Sequence, residues 1–291
     1  MLAYPALLCA TSFNGEGQLR VQNAAGLRLL VTNKNNPTLA IVLPGYPDSD
    51  RSIEVIFPEH VTAKRHGSNE LEHLYLFRSQ QAREPVWRQT KDSLEYERDL
   101  DGGVHLLARA TLEDDGVLLR YKFHNRSAAA YDMIYAVTDP RLTGLFHDVR
   151  LERTYVHHKD GFDLLASETP ARLKMPLSRW LPARYLVAFT WPVPKKLVER
   201  RSDGITYYNK SRPVDEPMIA TVSEDRQWIV ASFTRTAGNV WSNPELTCQH
   251  VDPETSVEAG QEAETEVKIL ISKGTLDDVL GKVREQRSTL H

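Results

Sequence analysis

The chain has 291 residues, of which 41% are hydrophobic and 26% charged, and 36 basic against 39 acidic side chains leave a formal charge of −3. That composition supplies ample core-forming material and excludes extended disorder away from the termini. It lacks the basic field that collects counterion-release energy on a phosphate backbone, so nucleic acid is excluded as a partner.

Residues Leu2 to Ala10 are apolar but contain Pro5, follow no Lys or Arg and are far too short for a bilayer. A first strand is expected there, the alternative being the remnant of a secretory segment; no membrane partner is expected, and the compartment, cytoplasmic or exported, stays open. Strands are expected at Leu27–Thr32, Thr38–Leu43, Ile53–Phe57, His73–Phe77 and Leu94–Glu97, separated by Asn33-Lys34-Asn35-Asn36-Pro37, Pro44-Gly45-Tyr46-Pro47-Asp48 and Asp101-Gly102-Gly103. The strongest signal runs from Val104 to Thr138. Val117, Leu119, Tyr121 and Phe123 fall on one face and Leu118, Arg120, Lys122 and His124 on the other, the period of a strand. Breaks at Asp114-Asp115-Gly116 and Asn125-Arg126-Ser127 predict a meander of three strands at about 104–112, 117–124 and 131–138. Further strands are expected at Thr154–His158, Tyr185–Thr190, Ile205–Asn209, Met218–Val222, Trp228–Thr234 and Thr265–Ile271. The basic cluster Lys195-Lys196 and Arg200-Arg201 reads as a solvated loop. One helix closes the order, at about 275–287: Thr275 is a candidate N-cap, Asp277 and Asp278 occupy the first turn, and Leu276, Val279, Leu280 and Val283 recur at helical spacing.

The expected class is all-β, a large antiparallel sandwich with a short C-terminal helix, and one domain over 1–291, since such sandwiches run to ~200–250 residues as a unit. Two stretches carry a resemblance: Asp115 to Ser127, a long strand closed by an Asn-x-Ser turn, and Glu258-Ala259-Gly260-Gln261-Glu262 leading into Glu264–Ile271. In these the chain resembles the galactose mutarotase-like β-supersandwich superfamily. The resemblance implies a carbohydrate ligand in a concave sheet face, because members are aldose epimerases, polysaccharide lyases, some glycoside hydrolases and domains of unknown role. Epimerases of the group use a His and a Glu as acid and base; no position of this sequence is matched to either motif.

Two stretches concentrate reactive side chains. In the first, Phe146 to Gly161, an extended chain puts Arg153, Tyr155 and His157 on one face and leaves His147, Asp148 and Arg150 ahead of it. In the second, Trp241 offers a flat face to a sugar ring, Asn243 and Glu245 offer hydrogen bonds to hydroxyls, and His250 and Asp252 share parity, so the carboxylate can orient the imidazole. Asp139 and Arg141 end a strand, where sandwiches present polar groups. His60, His66 and His73 are candidate rim residues.

The reading is a carbohydrate-active protein in which residues 139–158 and 241–252 meet in a groove. His250 or His157 is the expected base, Tyr155 the acid, and Arg150 or Arg153 the stabiliser of negative charge, with a uronate as the substrate that suits those arginines and β-elimination or epimerisation as the reaction. Trp241, Asn243, Glu245, Asp252, Asp139, Arg141, His147 and Asp148 are the expected substrate contacts. Two alternatives stand beside it. One is a glycosidase with Glu245 and Asp148 facing each other at ~5–10 Å; the other is a non-catalytic binding protein relying on Trp241 and Trp180. His147, His157 and His250 with Asp148 or Glu245 compose a mixed N/O set, but no His-x-x-x-His or Cys-x-x-Cys spacing supports a metal, and no cofactor fingerprint occurs. Cys9 and Cys248 are the only cysteines and are expected as free thiols, one long bridge being the alternative. Nothing in the sequence fixes the oligomeric state.

Overall fold

The computed structural model describes residues 19–76, 85–167, 180–186, 198–200, 206–209, 212–243 and 245–291, and for 75–76, 180–186, 198–200 and 206–209 the description is of the backbone. The expected strand at Leu2–Ala10, Cys9 and the segment Lys195-Lys196 lie outside it, as does the side chain of Trp180.

Strands are numbered in chain order. A seven-stranded sheet runs β1 (Arg20–Gln22), β2 (Arg28–Asn33), β3 (Thr38–Val42), β4 (Ile53–Arg65), β10 (Tyr131–Leu142), β20 (Thr255–Val257), with β5 (Glu72–Leu76) also paired to β4. A nine-stranded sheet runs β12 (Gly161–Leu164), β11 (Thr154–His158), β16 (Met218–Val222), β17 (Ile229–Phe233), β21 (Glu262–Ser272), β9 (Gly116–Asn125), β8 (Val104–Glu113), β7 (Ser93–Asp99), β6 (Val86–Gln89). A third sheet runs β14 (Val198–Arg200), β15 (Thr206–Asn209), β13 (Trp180–Leu186), β18 (Asn239–Ser242), β19 (His250–Val251), and its β13–β15 pair is parallel while the other pairs of the three sheets are antiparallel.

Alternation builds the core. Val104, Leu106, Ala108, Ala110 and Leu112 of β8 and Val117, Leu119, Tyr121 and Phe123 of β9 point inward beside Val55, Phe57 and Val61 of β4 and Ile134 and Ala136 of β10, in one apolar cluster spanning both large sheets. Each Val, Leu, Ile or Phe among them contributes about 1.5–3 kcal/mol by leaving water.

The expected meander is corrected at its third strand. β9 pairs with β8 and β21, whereas β10 crosses to the other sheet and pairs with β4 and β20. Asn125 drives the crossing: its Oδ1 accepts from Ser127 N (3.0 Å) and Ser127 Oγ (2.7 Å), and its Nδ2 donates to Ala129 O (2.8 Å) and Glu258 O (3.2 Å). Three of these bonds are local, but an isolated hairpin turn has no use for the fourth, to a residue as remote as Glu258. Tyr121 and Thr138 then meet across the sandwich, hydroxyl to hydroxyl at 2.6 Å. Gly116 also has a reason other than turn flexibility, since a Cβ there would lie 2.0 Å from the Ile269 carbonyl of the neighbouring β21.

Helix α1 (Leu276–Arg287) follows the sequence closely. Thr275 caps it in a reciprocal box with Asp278, Val279, Leu280 and Val283 pack on Met218, Ala231, Phe233 and Leu270 of the nine-stranded sheet, and Arg284 and Arg287 both bind Glu216. No helix among the described residues is long and apolar enough to cross a membrane.

Candidate functional site

Inward-facing Ile134, Ala136 and Thr138 of β10 leave Tyr135, Val137, Asp139 and Arg141 on the opposite face of the seven-stranded sheet. The chain from Asn243 to Asp252 is laid beside the end of this strand, with Leu142 N donating to Leu246 O (3.1 Å) and Gln249 N to Pro140 O (3.0 Å). Gln249 points into the sandwich, where its amide meets Ser232 Oγ, Thr221 Oγ1 and Val230 O at 2.8–3.0 Å. Cys248 and His250, on the parity opposite to Gln249, come to Asp139.

The resulting cluster is tightly built. His250 Nε2 lies 3.3 Å from Asp139 Oδ1, and its ring stacks on Trp241 with centroids 3.7 Å apart and planes at 4°, a consequence of the Trp241–His250 register between β18 and β19. Asp139 Oδ2 accepts from Arg141 Nε at 2.6 Å, and the same guanidinium approaches Glu59 at 3.6 Å. Asp252 Oδ2 accepts from Trp241 Nε1 (3.1 Å) and Asn239 Nδ2 (3.3 Å). Cys248 is a free, buried thiol whose sulfur accepts from Asn243 N at 3.0 Å.

Charge is concentrated here away from water. Burial works against an imidazolium at His250, yet the sulfur of Cys248 and the carboxylate of Asp139 outweigh it and hold the ring well above the usual histidine range. Burial likewise opposes ionised Asp139, but His250 and Arg141 keep its carboxyl below the ordinary value. Asp252 goes the other way: burial raises it beyond what His250, Trp241 and Asn239 return.

Next to this cluster β4 presents accessible groups. Glu59 Oε2 is 3.9 Å from His60 Nδ1, and the two side chains are 32% and 24% exposed, against 2% for His250. The His60 ring meets His73 edge-on at 5.2 Å, and His73 Nδ1 bonds Thr62 Oγ1 at 3.1 Å.

The structure thus brings Asp139, Arg141, Trp241, His250 and Asp252 together. His147 and Asp148 meet the same loop by other means: His147 Nε2 reaches Glu245 O (3.2 Å) and Asp148 N donates to Thr247 Oγ1 (2.8 Å). Buried Asp148 accepts from Glu152 N, Arg153 N and Thr154 Oγ1 at 2.7–3.0 Å, which makes it the staple of a turn. The Arg153 guanidinium donates to the carbonyls of Val222 and His147, and Arg150, 67% exposed, binds Glu152. Tyr155 and His157 stand on β11 of the nine-stranded sheet, His157 being buried with Nδ1 2.6 Å from Asp215 Oδ1. Asn243 Oδ1 accepts from Glu245 N (3.0 Å) to close a local turn, and the Glu245 side chain is exposed. Glu59 and the sulfur of Cys248 were absent from the expected site. The shared parity of Cys248, His250 and Asp252 is the signal that points to the thiol; nothing local marks Glu59.

No protein-family model matches the sequence, and a search of curated proteins finds no match. Solved structures do match. The Slr1438 protein from Synechocystis sp. PCC 6803 aligns with 88% of this chain and 96% of its own at 11% identity and a TM-score of 0.50. The α-N-acetylgalactosaminidase NagBb from Bifidobacterium bifidum, in complex with GalNAc, aligns with 93% of this chain and 39% of its own at 10% identity and 0.51. A galactose mutarotase-like protein from Lactobacillus casei ATCC 334 aligns with 88% of this chain and 100% of its own at 11% identity and 0.47. The likeness is one of fold. It agrees with the mostly antiparallel sandwich and single C-terminal helix anticipated from the residues.

Proposed function

We propose that the protein is carbohydrate-active and receives a neutral sugar on the face of the seven-stranded sheet beside Glu59, His60, Arg141 and Trp241. The observation that carries this reading is an accessible carboxylate and imidazole side by side, with the carboxylate braced by Arg141 and Arg141 braced by buried Asp139. Such a pair can exchange a proton with a hydroxyl or ring oxygen. Arg141 already faces two carboxylates and Arg153 and Arg150 are engaged elsewhere, which favours a neutral ligand over a uronate. His250 is too deeply buried to touch substrate in this arrangement and acts by holding Trp241 and Asp139. The sugar-directed names of similarly folded proteins, the GalNAc-bound acetylgalactosaminidase among them, support the substrate class.

The test is calorimetric binding and turnover on a panel of neutral and acidic mono- and oligosaccharides, with Glu59→Gln, His60→Asn and Trp241→Ala. Retained binding with turnover lost in the first two supports proton transfer at this face. Unchanged turnover in both, or ligands restricted to acidic sugars, refutes it.

A further inference from the structure

From a different observation, we infer that Asp139, Cys248 and His250 form a binding site for a thiophilic divalent cation of the Zn2+ class. Among the described residues they are the one group of three metal-ligating side chains whose donor atoms all lie within 4.8 Å of one another, and all three are buried.

The separations suit a tetrahedral ion. Two nitrogen or oxygen ligands at 2.0–2.2 Å from Zn2+ stand roughly 3.3–3.6 Å apart, and a sulfur at 2.3 Å stands roughly 3.6 Å from its neighbours. His250 Nε2 and Asp139 Oδ1 are 3.3 Å apart. At that distance a well-aimed N–H would bond the oxygen, yet Asp139 Oδ1 has no hydrogen-bond partner and neither has His250 Nδ1. The imidazole and carboxylate are thus an ion pair at 3.3 Å short of a well-formed hydrogen bond, a spacing that two ligands of one ion share. Buried polar atoms are otherwise almost always satisfied, so these two ask for an explanation.

The donor set is chemically coherent. Asp139 uses Oδ2 for Arg141 and keeps Oδ1 for the ion, the arrangement by which an outer partner fixes a ligating carboxylate. The backbone N–H of Asn243 aims at the Cys248 sulfur and fixes its position. Binding forms the metal–sulfur and metal–nitrogen bonds as the thiol proton and the His250 imidazolium proton leave to solvent, and the resulting neutral imidazole with two anions offsets the 2+ charge. Thiolate with imidazole selects Zn2+ over Mg2+ or Ca2+, which prefer oxygen throughout. With three protein ligands, one position is left for an exogenous donor.

The full chain, stripped with chelator and dialysed, would be titrated with Zn2+ alone and with Co2+ alone. Expected are one ion per chain, a thiolate-to-cobalt charge-transfer band and visible bands of tetrahedral intensity. Loss of a direct ligand should weaken binding by about 100-fold or more, since removing an outer partner alone costs up to that. Cys248→Ser, nearly isosteric, should lose the charge-transfer band, and His250→Gln and Asp139→Asn should weaken binding while circular dichroism confirms their fold. The idea is overturned if the parent binds no ion, if Co2+ binds without the thiolate band, or if folded variants bind as the parent does. The parent spectrum decides the matter even where a variant fails to fold.

Discussion

Replacing Asp148 tests whether this carboxylate builds the site or does chemistry in it. The side chain is 5% exposed and accepts hydrogen bonds from Glu152 N (3.0 Å), Arg153 N (2.7 Å) and Thr154 Oγ1 (2.9 Å). The turn it closes contains Leu151 at φ 51°, and its own N–H is held by Thr247 at φ 44°. A left-handed backbone costs a β-carbon residue about 1–2 kcal/mol, so two such residues need external restraint. Hydrogen bonds to a charged acceptor are worth about 1.5–3 kcal/mol each, and the freed turn amides recover part of that from water, which leaves a loss of about 3–5 kcal/mol for Asp148→Ala. At about 2–4 °C per kcal/mol for a chain of this size, Tm should fall by roughly 6–20 °C. Asp148→Asn, which keeps one acceptor oxygen, should lose about half as much. Thermal unfolding followed by circular dichroism reads both. An Asp148→Ala protein within about 1 kcal/mol of the parent refutes the reasoning, and Asp148→Asn with unchanged Tm but abolished turnover would make this carboxylate catalytic after all.

Thr275→Ala should cost about 1 kcal/mol by removing the hydroxyl that accepts from Asp278 N, with Thr275→Ser restoring it, measured as a Tm shift of about 2–4 °C. Asp115 supplies a pH signature: its half-burial raises the carboxyl, but Lys268 and Gln286 outweigh that and hold it below its ordinary 3.8. Its folded value therefore lies below the unfolded one, so its stabilisation is complete above pH 3.8 and disappears as pH falls through the folded value. Urea titrations of parent and Asp115→Asn should accordingly show a constant stability gap near neutral pH that closes in acid; a gap that persists or widens in acid contradicts the assignment.

The parts of the fold legible in the residues were those in which local period and burial coincide. β8 buries every second side chain, and α1 carries its cap, acids and apolar spacing within fourteen residues or so, hence both were located within a residue or two. Strand pairing is a different kind of information. Asn125-Arg126-Ser127 has the composition of a hairpin turn, and nothing local distinguishes it from the sheet-crossing loop it is, because Glu258 lies far along the chain. β18, β19 and β20, of four, two and three residues, are too short to express a period.

The same asymmetry governs the site. Parity in 241–252 assigns Cys248, His250 and Asp252 to one side, but parity says nothing about what stands opposite. What stands opposite is β10, and it brings a carboxylate that turns an apparently available base into a buried, charge-locked one. Trp241 shows the consequence: as a lone aromatic it reads as a sugar platform, whereas its β19 register gives one ring face to His250 and its indole N–H to Asp252. The accessible chemistry then falls to Glu59 and His60, whose standing depends on a register shift between β4 and β10 at Val137/Asp139 that brings Arg141 alongside Glu59. A bulge of that kind re-aims side chains without leaving a mark on the hydrophobic period. Groups that look reactive in isolation become the frame, and groups beside a bulge become the accessible surface.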